Sequence, residues 1–313
     1  MKRRKIVIDT DPGQDDAIAI LLALASPELE VLGITAVAGN VSLHHTAANA
    51  LRICELAGRP DIPVRAGCPR PLLREPVSAA HVHGETGLDG AGLPAPVTAL
   101  APGHAVEWIV GTLRAATEPL TLCPLGPLTN LAAAIVQAPD IVGAIAEVVA
   151  MGGATRTHGN VTPSAEFNVY ADPHAADVVL RAGCPVSLMP LELTHQALTT
   201  PARLERFREL PAPIGPACHG MLSYYYRPNS ARFALGGSPL HDPCVIAYLV
   251  APDLFEGERV HVAVETTSPL TLGATVSDRY RVTGKAANCT VMHGLDAERF
   301  FDLLFERLAR LPA

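Results

Sequence analysis

Between Arg4 and Ile20 the chain changes period twice, and the break in the middle is crowded with acid. Ile6 to Ile8 is a short β-branched run of the kind a buried strand needs. Pro12-Gly13 ends it. Beyond the break, Ile18, Leu21, Leu22 and Ala25 fall on one face of a helix. Asp11, Asp15 and Asp16 are thereby brought to one strand-to-helix turn with no Lys or Arg between them. Carboxylates that close repel one another unless a cation or a shared proton offsets their charge. Hard cations such as Ca²⁺ prefer clustered carboxylate oxygens. The helix macrodipole alone favours acid in a first turn, but an N-cap needs one carboxylate and not three. An EF-hand loop does not fit, because counting from Asp9 puts Gly13 fifth and Gln14, not Gly, sixth.

The same rhythm continues downstream. Leu29 to Ala38 reads as a second strand closed by Gly39-Asn40, Leu43 to Leu56 as a helix, and Pro63 to Ala66 as a third strand. From Cys68 to Pro102 periodicity gives way to a Pro- and Gly-rich segment containing His81-Val82-His83-Gly84. A structureless stretch of that length is usually functional or mobile. A helix near 103–116, a strand over Leu120 to Cys123, a helix after Pro127 and a strand over Glu147 to Met151 follow. Pro173 to Arg181 then reads as a helix and Val186 to Met189 as a strand. The segment 201–240 is expected to be helical with a loop, 260–265 and 281–283 to be late strands, and Glu298 to Leu311 to be a closing amphipathic helix. Strands alternating with helices predict an α/β fold, with an open, mostly parallel, Rossmann-like central sheet flanked by helices. No internal repeat or linker divides the chain, so one domain over 1–313 is expected.

With 313 residues, 49% of them hydrophobic, the chain can bury a large core. Its net charge of -7 leaves no electrostatic footprint for nucleic acid. The basic start is followed by only a few apolar residues before Asp9, too short a run for a signal-peptide core. No apolar run approaches the ~18 residues of a membrane span. The 7 cysteines are scattered without a Cys-x-x-Cys pair, which indicates neither a zinc knuckle nor a disulfide framework. A cytoplasmic, reduced location is expected.

In open α/β sheets, ligands sit beyond the carboxyl ends of the strands. The punctuated strand ends here are Asp11, Asn40, Leu125-Gly126 and Met151-Gly152, and together they outline a crevice. Two further clusters stand out. One is the loop from Asn160 to Glu166-Phe167-Asn168, with two amides, a carboxylate and an aromatic ring. The other is His241-Asp242-Pro243, which opens the apolar run Val245 to Val250. A polar surface loop and a helix N-cap are the bland readings of these two.

Asp9-Thr10-Asp11-Pro12-Gly13-Gln14-Asp15-Asp16, Gly126-Pro127-Leu128-Thr129-Asn130, Met151-Gly152-Gly153, Glu166-Phe167-Asn168 and His241-Asp242-Pro243 resemble, in order, the successive blocks of the nucleoside hydrolase family. The resemblance spans nearly the whole chain. It implies cleavage of the N-glycosidic bond of ribonucleosides to free base and ribose with a bound Ca²⁺, as in purine and pyrimidine salvage. It implies Asp11, Asp16, Asp242 and the backbone carbonyl of Leu125 as ligands to the ion, and Asp11 also as the base that activates the attacking water. Asp15 and Asn40 would hold the ribose 2′- and 3′-hydroxyls. Asn160, Glu166, Asn168 and Met151 would grip the 5′ side, with Phe167 beside them. His241 would face the leaving base and assist its departure. His81 and His83 lie where relatives carry a loop that closes over the site, and the run Tyr224 to Tyr226, with Tyr225 at its centre, is placed on the base side. A homodimer or homotetramer is implied.

Two other classes compete with this reading. A non-catalytic, calcium-dependent ribonucleoside-binding protein would keep the ion site, but binding alone does not need a base such as Asp11. A metal-dependent phosphohydrolase would want Lys or Arg near its carboxylates to meet phosphate, and none of the blocks supplies one.

Overall fold

The computed structural model describes residues 3–233 and 235–312, and their side chains outside 228–233. Its strands are β1 Arg4–Thr10, β2 Leu29–Ala36, β3 Val64–Ala66, β4 Leu120–Pro124, β5 Ile145–Met151, β6 Val186–Met189, β7 Leu198–Thr199, β8 Ser238–Pro239, β9 Phe255–Val260, β10 Val262–Val264, β11 Thr275–Ser277 and β12 Cys289–Leu295. Its helices are α1 Gln14–Leu24, α2 Leu43–Leu56, α3 Ala80–His83, α4 Ala105–Ala115, α5 Thr129–Gln137, α6 Phe167–Ala171, α7 Pro173–Arg181, α8 Leu191–Thr194, α9 Pro201–Arg208, α10 Ile214–Phe233, α11 Pro243–Val250 and α12 Ala297–Leu308.

Eight strands form one sheet in the order β3-β2-β1-β4-β5-β6-β12-β9. All neighbours in it are parallel except β9, which runs antiparallel to β12. The expected open, mostly parallel sheet flanked by helices is therefore the observed one. Apolar layers cover both faces, and the side-chain period of two divides even the first strand between them. Ile6 and Ile8 pack with α1, α11 and α12 on one face, while Val7 packs with α4, α5 and α7 on the other. Burying Ile6 and Ile8 completely stabilises the fold by roughly 1.5–3 kcal/mol each.

The order of the first six strands decides where a ligand can sit. From β1 the chain winds outward through β2 to β3, then crosses back to lay β4 against the other side of β1. At such a reversal the connections leave β1 and β4 in opposite directions and open a crevice at their carboxyl ends. Asp11 and Leu125, the residues that follow β1 and β4, meet there.

The early elements match the expected ones closely, as do the helical 201–240 segment and the closing helix α12, while the late strands differ. Residues 281–283 form a turn, not a strand: the Asp278 carboxylate accepts from the backbone N–H groups of Val282 and Thr283, each at 2.8 Å, and winds the chain around itself. The expected strand at 260–265 is split at His261, with Val260 ending β9 and β10 leaving the main sheet to pair with β11. The segment 201–240 holds two helices, α9 and α10, and the unpredicted strand β12 sits between β6 and β9. Within 68–102 only α3 is regular.

Candidate active site

At the head of α1 the N-cap is Gly13, which has no side chain to offer. Asp16 caps the helix in its place, its Oδ2 accepting from Gly13 N at 2.9 Å and its Oδ1 from the Thr10 hydroxyl at 2.5 Å. One of the clustered carboxylates thus does serve the helix end, as the bland reading required, but the others do not. Asp11 Oδ2 accepts from Asn40 N at 2.6 Å, and Asn40 Nδ2 donates back to the Asp11 carbonyl at 3.2 Å. Asp15 Oδ1 is buried without a hydrogen-bond partner. Asp242 precedes α11 in the N-cap position, yet its side chain makes no capping bond. It turns instead toward Asp16.

All of these groups are buried, and their chemistry follows from that. Burial is the largest cause raising the carboxyls of Asp11, Asp15, Asp16 and Asp242, and repulsion by Asp16 adds to it at the other three. Asp15 is pushed up to about 8. Single oxygens of Asp15, Asp16 and Asp242 lie within 4.8 Å of one another. This trio differs from the expected ligand set: Asp15 is in it, and Asp11 stands outside it with one oxygen committed to Asn40. The Leu125 carbonyl accepts from Asn168 Nδ2 at 2.6 Å and keeps a second lone pair. Crowded buried oxygens, one of them unpartnered, and carboxyls whose charge burial and mutual repulsion disfavour fit a hard divalent cation.

Asp11 is pressed from two sides by glycine. A Cβ on Gly39 would fall 2.0 Å from Asp11 Oδ2, and one on Gly126 2.2 Å from Oδ1. Behind it, buried Asn130 donates to Asp9 Oδ1 at 2.7 Å and to the Ala36 carbonyl at 3.1 Å, and accepts from Cys68 N at 2.8 Å. The Gly126-to-Asn130 block therefore ties the ends of β1 and β2 to α5, a structural role that spacing did not disclose.

Above the carboxylates opens a cavity. Asp15, Asn40, Leu125 and Asp242 line its acidic side, and Met151, Asn160, Glu166, Phe167 and Asn168 a second wall. His81, His83, Tyr225 and His241 form the rest of the rim. Asp11 and Asp16 are buried one layer deeper, bonded to Asn40. None of the described residues lining the cavity is Lys or Arg. Glu166 is held by backbone: it caps α6 through Asn168 N and Val169 N and also accepts from Gly153 N at 2.9 Å. Asn160 Oδ1 accepts from Phe167 N at 2.9 Å, and Asn168 Nδ2 donates to the Met151 carbonyl at 3.2 Å. Of the three consecutive tyrosines, Tyr225 faces the cavity. Tyr224 turns toward Gly90 and Tyr226 packs on the core. His241 Nδ1 lies 2.7 Å from the Thr194 hydroxyl, a partner that the sequence did not single out. Burial, with His195 and His83 nearby, holds the His241 imidazole well below its usual range.

A family model described as inosine-uridine preferring nucleoside hydrolase matches residues 6–302. The chain belongs to this family. Like other nucleoside hydrolases, it is a hydrolase acting on N-glycosyl compounds and cleaves the N-glycosidic bond of ribonucleosides. Among curated relatives, a pyrimidine-specific ribonucleoside hydrolase of Shewanella baltica is 47% identical over 308 residues, covering 97% of this chain and 96% of its own. A second, from Photobacterium profundum and also described as pyrimidine-specific, is 46% identical and covers 98% of this chain and 99% of its own. Among solved structures, a purine-preferring ribonucleoside hydrolase from Gardnerella vaginalis superposes with a TM-score of 0.92 at 34% identity, covering 98% of this chain and 99% of its own. No described helix of this nucleoside hydrolase is long and apolar enough to cross a membrane.

Proposed function

We propose that this nucleoside hydrolase prefers pyrimidine ribonucleosides, uses Ca²⁺, and works in the cytoplasm as a homodimer or homotetramer in nucleoside salvage. The observation that carries the reading is four buried carboxylates at a cavity whose described lining has no Lys or Arg and whose rim includes His241. Asp11, Asp16, Asp242 and the Leu125 carbonyl would hold the ion, with Asp15 in reach. When bound, it supplies a lowered pKa for a water in its shell and a seat for a vicinal diol.

The remaining chemistry belongs to the side chains. Asp11, fixed between Gly39, Gly126 and Asn40, takes a proton from the attacking water. Asp15 Oδ1 and the Asn40 amide hold the ribose 2′- and 3′-hydroxyls, and Asn160, Glu166, Asn168 and Met151 border the 5′ side. Carboxylates around C1′ favour the oxocarbenium-like charge that develops as the bond breaks. His241 faces the leaving base and assists its departure, and the Thr194 hydroxyl, 2.7 Å from Nδ1, holds the ring in orientation.

The preference for pyrimidines is supported by the curated relatives at 46–47% identity, against a solved purine-preferring neighbour at 34%. The test is release of reducing sugar from uridine, cytidine, inosine and adenosine, before and after chelation and with Ca²⁺ restored. Uridine and cytidine should be cleaved fastest, and only with the ion. Full activity in chelator removes the ion from the reading, and faster cleavage of inosine removes the pyrimidine preference.

A further inference from the structure

Gln14 sits inside the acidic block but its side chain turns away from the carboxylates and into the 80–89 loop. It is fully buried. Its Nε2 lies 3.0 Å from the His83 carbonyl and 3.2 Å from the Asp89 carbonyl, and its Oε1 lies 2.8 Å from His83 Nδ1. Carbonyl oxygens only accept, so the end of the amide that faces two of them has to be the NH₂ end. The amide oxygen is then the group facing the ring, and it too only accepts. His83 Nδ1 must therefore carry the hydrogen.

The ring has little freedom to escape this arrangement. It stacks on Tyr225 with centroids 5.3 Å apart and planes 28° from parallel. Its other face lies against the backbone of Gly13, where a Cβ would come within 2.4 Å of Nδ1. Asn49 fastens the next residues of the loop, donating to the Pro12 carbonyl at 3.1 Å and the Thr86 carbonyl at 2.7 Å. In a neutral imidazole with Nδ1 protonated, Nε2 is a bare acceptor. Burial keeps His83 neutral, pushing it down to about 3.

We propose that Gln14 is a positioning residue that locks His83 as the Nδ1–H tautomer, so that this cavity-lining ring accepts a hydrogen bond from an N–H of the bound base. His83 then selects among bases and gives them no proton, which divides its role from that of His241. Bases with an N–H on the edge away from the sugar, such as uracil at N3, cytosine at its N4 amine and hypoxanthine at N1, satisfy it. Blocking that N–H leaves a buried acceptor unpaired, and such sites reject the analogue. The inference rests on the ribonucleoside reading above for its ligand, but not for the tautomer.

The full chain labelled with ¹⁵N-histidine and studied by long-range ¹H–¹⁵N correlation reports the tautomer directly, with His83 assigned by its loss in His83→Ala. A protonated Nδ1 and an unprotonated Nε2 are expected at neutral pH, and an Nε2–H ring in the unaltered protein overturns the proposal. In the second arm kcat/KM is compared for uridine against 3-methyluridine and for inosine against 1-methylinosine. Methylation should cost more than ~10-fold in at least one pair, the scale of a lost buried hydrogen bond. In Gln14→Met the ring keeps its bulk, so a steric effect of the methyl group would persist while a hydrogen-bond effect falls. No penalty in either pair, or one that Gln14→Met leaves intact, overturns the acceptor role. A chain that cleaves neither uridine nor inosine overturns the reading of the reaction, and the tautomer, which needs no turnover, then judges Gln14 alone.

Discussion

Asp11 is approached closely by two backbone segments that carry no side chain where they touch it. Gly126→Ala would place a methyl group 2.2 Å from Oδ1, and the carboxylate is the movable partner. A displacement of about 1 Å in a catalytic group costs on the order of 10²-fold. Gly126→Ala should therefore lose at least that in kcat while remaining folded, which circular dichroism and rate measurements on one sample will show. His241 permits a sharper comparison. His241→Ala should lose ~10²–10⁴-fold on uridine, the usual scale of proton assistance, and little on 4-nitrophenyl riboside, whose leaving group needs no proton. Equal losses on both substrates would reduce His241 to a shaping role. If Asp15 and Asn40 hold the ribose diol, 2′-deoxyuridine should be cleaved up to ~10⁴-fold less efficiently than uridine, since buried polar partners lose their hydroxyl. A ratio within ~10-fold would place both residues in structural roles. At this scale the sequence pointed to residues that the fold gathers around one cavity, because clustered acid and paired amides are costly anywhere else. It hid the residues that orient them: Thr194, Asn49 and Asn130 are ordinary polar residues until the fold places a partner 2.7 Å away.

At the scale of elements, the βα units from β1 to β6 were readable because most of their strands are largely buried and apolar and the breaks between them carry Gly or Pro. The last third followed other rules. Cys289–Leu295 contains His293 and Gly294 and is half-exposed toward its end, so it has neither the apolar run of an inner strand nor clean alternation. Its place is set from outside, by β9 along one edge and by Gln196, which donates to the His293 carbonyl at 2.8 Å and accepts from Leu295 N at 3.1 Å. The site loops show the same dependence, since α6 starts where Glu166 caps it and not where the local period begins. Asn130 is the clearest joint between elements. Asn130→Ala strips donors from Asp9 and Ala36 and an acceptor from Cys68, all of them buried or half-buried. It should cost about 2–4 kcal/mol, within the range for broken buried networks, read as a lower urea midpoint at unchanged slope.

For the whole molecule, buried acid makes stability depend on pH in an unusual direction. Folding raises Asp9 to about 7 and Asp15 to about 8 from the ordinary value of 3.8, by burial above all. A raised folded pKa means that the folded chain holds protons the unfolded chain has lost, so stability declines as pH rises through that interval. The buried histidines act oppositely. His83, His195 and His241 are all lowered by burial, so below ~6.5 the unfolded chain takes up protons that the folded one refuses. The metal-stripped protein should therefore gain Tm as pH falls from about 8.5 to 7, and the gain should stop below ~6.5. If Ca²⁺ is the ion, binding favours the ionised forms of the carboxylates around it, so Tm should be higher and less dependent on pH over the same window. Calorimetry in chelator and in Ca²⁺ measures both curves, and a stripped protein that loses Tm on going from about 8.5 to 7 contradicts this account.

The placement of β12 also matters to the cell that makes this chain. A ribosome delivers β6 well before the strand that will lie against it, and α8 to α11 and β9 all emerge first. Until Cys289–Leu295 leaves the exit tunnel, the nascent sheet ends at Val186–Met189, whose outer backbone groups have no neighbour to bond. An unpaired inner strand recruits whatever strand is nearby. Synthesis halted anywhere between those two strands therefore yields a chain that carries most of its site residues and a sheet edge open to pairing with another strand.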